Sequence, residues 1–171
     1  LLYVREGSDL APLLYGGGQE YGLRSGTEDV VACFGLAHAL EICASERDGE
    51  RERLTELRDK LIDALLKLPG TALNGSRLVR LPQNVNISFK HISGERMVVE
   101  LDRLGISAAT GSACSARTRS SSHVIRALSD ELWRMEGAVR FSLGRDATRE
   151  HIKKIAETVS VILDTCTHFH H

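Results

Sequence analysis

A stripe of leucines constrains the fold of this 171-residue chain more than any other sequence feature. Its members recur at spacings of three and four residues, and they are Leu54, Leu57, Leu61, Leu65 and Leu68. This spacing is typical of a helix with one apolar face, which other elements must cover. We expect Pro69 and Gly70 to end the helix. A second helical segment is expected upstream, with Thr27 as its N-cap. The two segments can form one long helix with a bend at Gly49.

Patterns that predict strands and further helices follow this segment, and one strand pattern precedes it. We expect strands at residues 1–5, 71–75, 84–89, 106–109 and 138–143, and helices at 93–105, at 122–128 and from 148 onward. Neighbouring strands mixed with helices are typical of an α+β fold, in which a small sheet carries helices on one face.

The overall composition argues against several classes of function. The net charge of −1 does not attract nucleic acid or an anionic membrane. No apolar run approaches the ~20 residues that cross a bilayer, and no signal segment opens the chain, so we expect a cytoplasmic protein. The four cysteines lie too far apart for a zinc site or a disulfide framework, and they are Cys33, Cys43, Cys114 and Cys166. The C-terminal cluster of Cys166, His168, His170 and His171 is interpreted as an incidental tail, with a metal-binding tract as the alternative.

Small residues surround one of these cysteines. Apart from Cys114, residues 107–122 contain no side chain larger than threonine until Arg117, so burial cannot anchor the segment in a core. We expect a mobile surface loop. A thiol on such a loop, with Arg117 and Arg119 nearby to favour the thiolate, has the surroundings of a reactive cysteine. A buried, inert cysteine is the alternative, but this setting favours Cys114 as a nucleophile or a sulfur carrier.

Residues 16–26 contain five glycines, which allow the backbone to approach a ligand or another chain closely. Arg24, Ser25 and Thr27 offer hydrogen-bond donors where a helix is expected to begin, and helix N-termini attract phosphate. The spacing matches neither a dinucleotide fingerprint nor a P-loop. A flexible structural loop therefore remains an alternative to an anion site.

Arg140 occupies the middle of the apolar pattern at residues 138–143. In a strand its side chain faces away from Val139 and Phe141. The planar guanidinium suits bidentate binding of a carboxylate or a phosphate. An ordinary surface arginine is the alternative, and the strand pattern alone does not decide between them.

Six short motifs stand in one order along the chain. They are residues 2–5 (LYVR), 16–27 (GGGQEYGLRSGT), 82–89 (PQNVNISF), 111–114 (GSAC), 124–128 (VIRAL) and 139–145 (VRFSLGR). Together they resemble the cysteine desulfurases of the iron-sulfur-cluster and nitrogen-fixation type, within the class V aminotransferase superfamily. Each motif is weak alone, but the six occur in register and cover essentially the whole chain.

The resemblance implies an enzyme of fold type I that uses pyridoxal 5'-phosphate (PLP). Such enzymes convert L-cysteine to L-alanine and leave the sulfur as a persulfide on the protein, as a supply for iron-sulfur clusters or thio-cofactors. Cys114 matches the loop cysteine that attacks the substrate sulfur, and Arg140 matches the arginine that holds the substrate carboxylate. Thr27 matches the residue that reaches the PLP phosphate of the neighbouring subunit. A homodimer and a sulfur-acceptor protein are the implied partners.

The resemblance also implies a division of the chain. The family's Schiff-base lysine, the aspartate beside the pyridine nitrogen and the histidine stacked on PLP all precede the first motif. We therefore expect a C-terminal portion that is catalytically incomplete alone. Residues 1–45 are expected to be the end of the large PLP-binding domain, with a dimer loop and the start of a linking helix. Residues 46–171 are expected to be the small C-terminal α+β domain with the cysteine loop.

Two other classes of function remain open. The chain could be a stand-alone sulfur-relay or binding module that carries a persulfide on Cys114, or a dimerising remnant without chemistry. Within the enzyme class, the register of the Cys114 loop argues against a related PLP lyase or aminotransferase.

Overall fold

The computed structural model describes residues 1–110 and 122–167. Cys114, Arg117, Arg119 and the terminal histidines lie outside the described residues, so the predictions about them stay predictions. The chain divides into two compact units, Leu1–Glu46 and Arg47–His171. The assignment of the first unit to the large domain of a longer protein also stays a prediction.

The first unit contains little regular structure before its helix. Residues 1–5 form no strand, so that prediction is wrong. The apolar pattern there is real, but a strand needs a hydrogen-bonded neighbour, and the described four-stranded sheet does not include this segment. A short 3₁₀ turn, Glu20–Gly22, lies within the glycine-rich segment. Gly18 precedes this turn and Gly22 is its last residue. Both have a φ angle of +76°, a conformation that residues with L side chains rarely adopt.

Helix α1 is a single helix of 37 residues, Val30–Leu66, and it passes through Gly49 without a break. Its N-cap is Asp29, whose Oδ1 accepts a hydrogen bond from the backbone N–H of Ala32 at 2.9 Å. The prediction that Thr27 is the N-cap is therefore wrong, because the cap must directly precede the first helical residue. The leucine stripe is buried at four of its members, Leu54, Leu57, Leu61 and Leu65.

The sheet has four antiparallel strands in the order β1-β2-β4-β3. The strands are β1 (Thr71–Leu73), β2 (Asn84–Phe89), β3 (Ala109–Thr110) and β4 (Ala138–Ser142). Strand β2 matches its predicted range, and β1 and β4 are shorter than predicted. Strand β3 begins three residues later than predicted, since only its end pairs with β4.

The described residues form four more helices beside the sheet: α2 (Gly94–Arg103), α3 (His123–Leu128), α4 (Leu132–Glu136) and α5 (Arg149–Thr167). The side chains of Ser93, Ser122 and Thr148 cap α2, α3 and α5, each at the residue where the helix was expected to begin. Helix α4 was not predicted, because five residues are too few to show a helical period. None of the described helices is long and apolar enough to cross a membrane.

The core lies on one face of the sheet. Val85, Ile87 and Phe89 of β2 and Val139 and Phe141 of β4 are buried there. The helices that cover them contribute a set of apolar side chains that includes Leu61, Leu65, Met97, Leu101, Val159 and Ile162. Each fully buried side chain of this size stabilises the fold by about 1.5–3 kcal/mol relative to an exposed one. The predicted mixture of helices and sheet is confirmed. The short helix α4 contacts the opposite, polar face of the sheet, where its Arg134 carbonyl accepts a hydrogen bond from Ser88.

Candidate functional site

Arg140 lies on the polar face of the sheet, at the centre of β4. The alternation of burial along β4 places Val139 and Phe141 in the core and leaves Arg140 exposed. Within the part of the chain that the structure describes, its guanidinium makes neither a hydrogen bond nor an ion pair. A guanidinium in this state keeps its donors free for an anionic ligand.

The backbone neighbours of Arg140 belong to the two adjacent strands. Asn86 of β2 is its partner on one side, and Ala109 of β3 is its partner on the other. Strand β3 ends at Thr110, and the small-residue segment with Cys114 follows. The ladder therefore anchors the start of that segment beside Arg140.

A network of polar side chains covers the same face next to Arg140. Asn74 is its centre: its Nδ2 donates to Asn86 Oδ1 at 2.8 Å and to Ser88 Oγ at 2.7 Å, and its Oδ1 accepts from Arg134 Nη2 at 2.9 Å. Arg134 also donates to the Leu73 carbonyl at 2.5 Å. Ser88 Oγ donates in turn to the Arg134 carbonyl at 2.7 Å. The network ties β1, β2 and α4 together.

Two members of this network are buried. Ser88 is fully buried and Asn74 is 4% exposed, so an unpaired polar group at either position would cost free energy. Sequence reasoning missed both residues, although the alternation of Asn84, Asn86 and Ser88 along β2 was a visible signal of a polar sheet face. Their partners in α4 could not be found from the sequence, because about 46 to 60 residues separate them.

Two glycines allow the close packing that positions β4. A Cβ at Gly137 would lie 2.1 Å from the Phe89 carbonyl oxygen, and a Cβ at Gly94 would lie 2.6 Å from the Ala138 carbonyl oxygen. Real Cβ atoms do not approach backbone oxygens so closely. The absence of a side chain at these positions therefore permits the start of β4 to pack against β2 and α2.

A second clamp holds the chain after β4. Arg53 of α1 donates to the carbonyls of Ala147 and Arg145 at 2.6 and 2.8 Å. It also makes a bidentate pair with Glu50, with both distances 2.7 Å. These hydrogen bonds hold the pKa of the Glu50 carboxyl below its ordinary value and raise that of Arg53. The turn that connects β4 to α5 is thus attached to the long helix.

Thr27 lies in the first unit, three residues before α1 begins, and it is exposed. Its hydroxyl makes no hydrogen bond to a described residue. The glycine-rich segment before it is held by its own contacts: Gly18 N donates to Ser25 Oγ at 3.3 Å and Gly26 N donates to Gln19 Oε1 at 3.1 Å. A free hydroxyl on an ordered segment before a helix suits contact with a phosphate oxygen.

The described residues contain a further pocket, but no candidate metal site. Within residues 1–110 and 122–167 no group of three or more His, Cys, Asp or Glu side chains could hold a metal ion. An open pocket of about 300 Å³ lies between the end of β2 and α4, and Lys90, His91 and Trp133 line part of it. Neither Arg140 nor Thr27 lines this pocket.

Comparison with known proteins places these features in context. Residues 1–155 match the protein family described as Aminotransferase class-V. Cysteine desulfurase IscS 1 of Archaeoglobus fulgidus is 44% identical over 163 residues, which cover 95% of this chain and 43% of that protein. Cysteine desulfurase IscS of Methanosarcina thermophila is 42% identical over 162 residues, which cover 95% of this chain and 40% of that protein. The chain thus spans about two fifths of the length of these relatives.

Solved structures show the same fold. A NifS-like protein superposes with a TM-score of 0.80 at 32% identity, over 95% of this chain and 41% of that one. The NifS-like protein of Rickettsia africae superposes with a TM-score of 0.77 at 24% identity, over 92% of this chain and 41% of that one. The helices and sheet described above therefore correspond to part of a larger known fold.

Proposed function

Because this chain belongs to the class-V aminotransferase family, we propose that it is the C-terminal region of a PLP-dependent cysteine desulfurase. The desulfurase relatives support the parent activity. The observation that carries the site is the position of Arg140, which is exposed and without a described partner beside the strand that leads to Cys114. This position suits a residue that binds a substrate where a nearby thiol can reach it.

Arg140 would bind the carboxylate of L-cysteine. Its fork of N–H donors matches the two carboxylate oxygens, and such charge-assisted pairs fix the orientation of the bound molecule. Since β4 is a central strand with neighbours on both sides, the Cα of Arg140 is held firmly. Orientation of the substrate is then set by a rigid element of the fold.

Cys114 would be the nucleophile. It follows Thr110 by four residues, a length of chain that reaches at most about 14 Å. Its thiolate attacks the substrate sulfur, so that a sulfur–sulfur bond forms on Cys114 while the substrate carbon–sulfur bond breaks. The carbon keeps the electron pair and takes up a proton, which gives L-alanine. An acceptor protein's thiolate then takes the outer sulfur of this persulfide, and the Cys114 thiolate is released as the leaving group.

Thr27 would contact the phosphate of PLP in a neighbouring subunit of a homodimer. Its exposed hydroxyl, without a hydrogen bond to a described residue, is available for that contact. When bound, PLP supplies the electron sink that this chemistry requires. No lysine of this chain matches the one that anchors the cofactor, so we propose that the chain alone is inactive.

The test combines this chain with a separately produced N-terminal half of a desulfurase, PLP and L-cysteine. Only the mixture should develop a PLP absorbance, produce alanine and add one sulfur atom to this chain, as measured by intact mass. The sulfur gain should disappear in Cys114→Ser and persist in the control Cys43→Ser. If the chain alone takes sulfur from a donor without PLP or alanine, it is a sulfur-relay module. If neither occurs, the chain retains the fold without the activity.

A further inference from the structure

Asn86 lies beside Arg140 on the polar face of the sheet, and its side-chain oxygen accepts a hydrogen bond from Asn74. We propose that the Asn86 Nδ2 group is a second hydrogen-bond donor for the carboxylate that Arg140 binds. This assignment rests on the proposed function and adds a residue that determines specificity for amino acids over simple amines.

The pairing of the strands brings the two side chains together. The Asn86 carbonyl accepts a hydrogen bond from the backbone N–H of Asn74 at 2.9 Å, so the backbone groups of Asn86 face the β1 side of the sheet. Asn86 and Arg140 are therefore a non-hydrogen-bonded pair of the antiparallel ladder. In such pairs the facing side chains approach more closely than in hydrogen-bonded pairs.

The hydrogen-bond network determines which way the Asn86 amide points. A guanidinium only donates, so Asn74 must present its oxygen to Arg134. The nitrogen of Asn74 then faces Asn86, and Asn86 must present its oxygen to that nitrogen. The Asn86 amide nitrogen is consequently directed away from β1, on the side where β4 and Arg140 lie.

The face beside Arg140 therefore carries two donors. Asn86 Nδ2 has no hydrogen-bond partner among the described residues, and neither has the guanidinium of Arg140. An anion with two acceptor atoms satisfies both groups at once, and a carboxylate has this geometry. Asn86 is held by Asn74, which is itself buried, so its amide is positioned before a ligand arrives.

Asn86→Asp is the decisive substitution. It keeps an oxygen for Asn74 to donate to, but replaces the free donor with an oxygen that repels a carboxylate. Asn84→Asp is the matched control. Asn84 lies on the same face of β2 and opposite Ser142, so the substitution introduces the same negative charge away from Arg140. The experiment uses the complete PLP-loaded desulfurase that contains this chain, with L-alanine and ethylamine as probes that differ in the carboxylate.

Equilibrium binding is measured by calorimetry for each variant. We expect Asn86→Asp to weaken L-alanine binding by about tenfold or more, the usual effect of losing a hydrogen bond to a charged group. Ethylamine binding and the thermal midpoint should stay close to those of the parent protein, and Asn84→Asp should leave the preference for L-alanine unchanged. The KM for L-cysteine should rise with a smaller change in kcat. Should Asn86→Asp fail to fold, Asn86→Ala gives the same comparison without the added charge.

The outcomes distinguish the proposed role of Asn86 from that of Arg140. If the Asn86 variant keeps its preference for L-alanine over ethylamine while Arg140→Lys loses it, only the role of Asn86 is overturned. Equal weakening of both probes would show a structural role and would also overturn it, as would an equal effect of Asn84→Asp. If Arg140→Lys itself leaves the preference unchanged, the proposed function of Arg140 fails.

Discussion

Ala109 and Arg140 are direct partners in the ladder between β3 and β4. The segment that contains Cys114 therefore starts beside the arginine proposed to hold the substrate carboxylate. One backbone pairing thus brings the described chain just before the proposed nucleophile next to the proposed binding residue, although Cys114 and Arg140 are 26 positions apart in the sequence.

The two faces of β4 should respond differently to truncation. Arg140→Ala should change the free energy of unfolding by no more than about 0.5 kcal/mol, because the side chain is exposed and has no described partner. Val139→Ala should cost more than about 1 kcal/mol, because Val139 is fully buried. Urea denaturation of both variants measures the difference. A large loss of stability in Arg140→Ala would show that Arg140 has a structural role.

The leucine stripe of α1 should carry much of the stability of the second unit. Leu61→Ala should destabilise the chain by about 2–5 kcal/mol, since it empties a fully buried position. Leu66 of the same helix is 38% exposed, so Leu66→Ala should cost clearly less. The midpoints of chemical denaturation compare the two, and equal losses would contradict the position assigned to the stripe.

Gly137 should tolerate no side chain. Gly137→Ala places a Cβ against the Phe89 carbonyl oxygen and should destabilise the chain by at least about 1–3 kcal/mol, the usual cost of overpacking. Gly144→Ala is the control, because a Cβ there meets nothing within 4 Å. Thermal unfolding should therefore separate the two variants, and an unaffected midpoint in Gly137→Ala would exclude the close approach of β2.

The Glu50–Arg53 pair should make stability depend on pH in the acid range. Arg53 lowers the pKa of the folded Glu50 carboxyl below 4.5, mainly through its hydrogen bond. The stabilisation is therefore complete above the unfolded pKa and is lost as the pH falls through the folded pKa. Carboxyl titration by NMR should give a midpoint below 4.5 for Glu50, and Arg53→Gln should return it toward the ordinary value. The pKa of Glu56 is also lowered, but by Lys60 and Arg149 and not by Arg53. Glu56 therefore serves as the internal reference in the Arg53→Gln variant.

Patterns local in the sequence predicted much of the fold. Strand β2 was predicted at its observed ends, because Val85, Ile87 and Phe89 alternate with polar residues and one face is buried. The leucine stripe predicted the C-terminal half of α1, because its members recur at helical spacing and are buried on one face of the helix. The starts of α2, α3 and α5 were predicted to within one residue, at Ser93, Ser122 and Thr148, where each side chain caps its helix within three residues of its position.

Local patterns were wrong where a distant or competing partner decided the outcome. Residues 1–5 have the composition of a strand but no described strand beside them. Thr27 has the side chain of an N-cap, but Asp29 stands closer to the first helical residue and takes that place. Helix α4 is too short to show a period, and it is held by Arg134, which contacts β1.

The sequence by itself determined which residue types were available for chemistry and on which face of its strand Arg140 lies, because strand alternation is a local property of the backbone. Only the tertiary structure decided that Asn86 and Ala109 flank Arg140, and that Asn74 and Arg134 orient the Asn86 amide. Those contacts join segments separated by about 12 to 60 residues. Their register depends on which apolar faces pack together, and no short stretch of sequence contains that information.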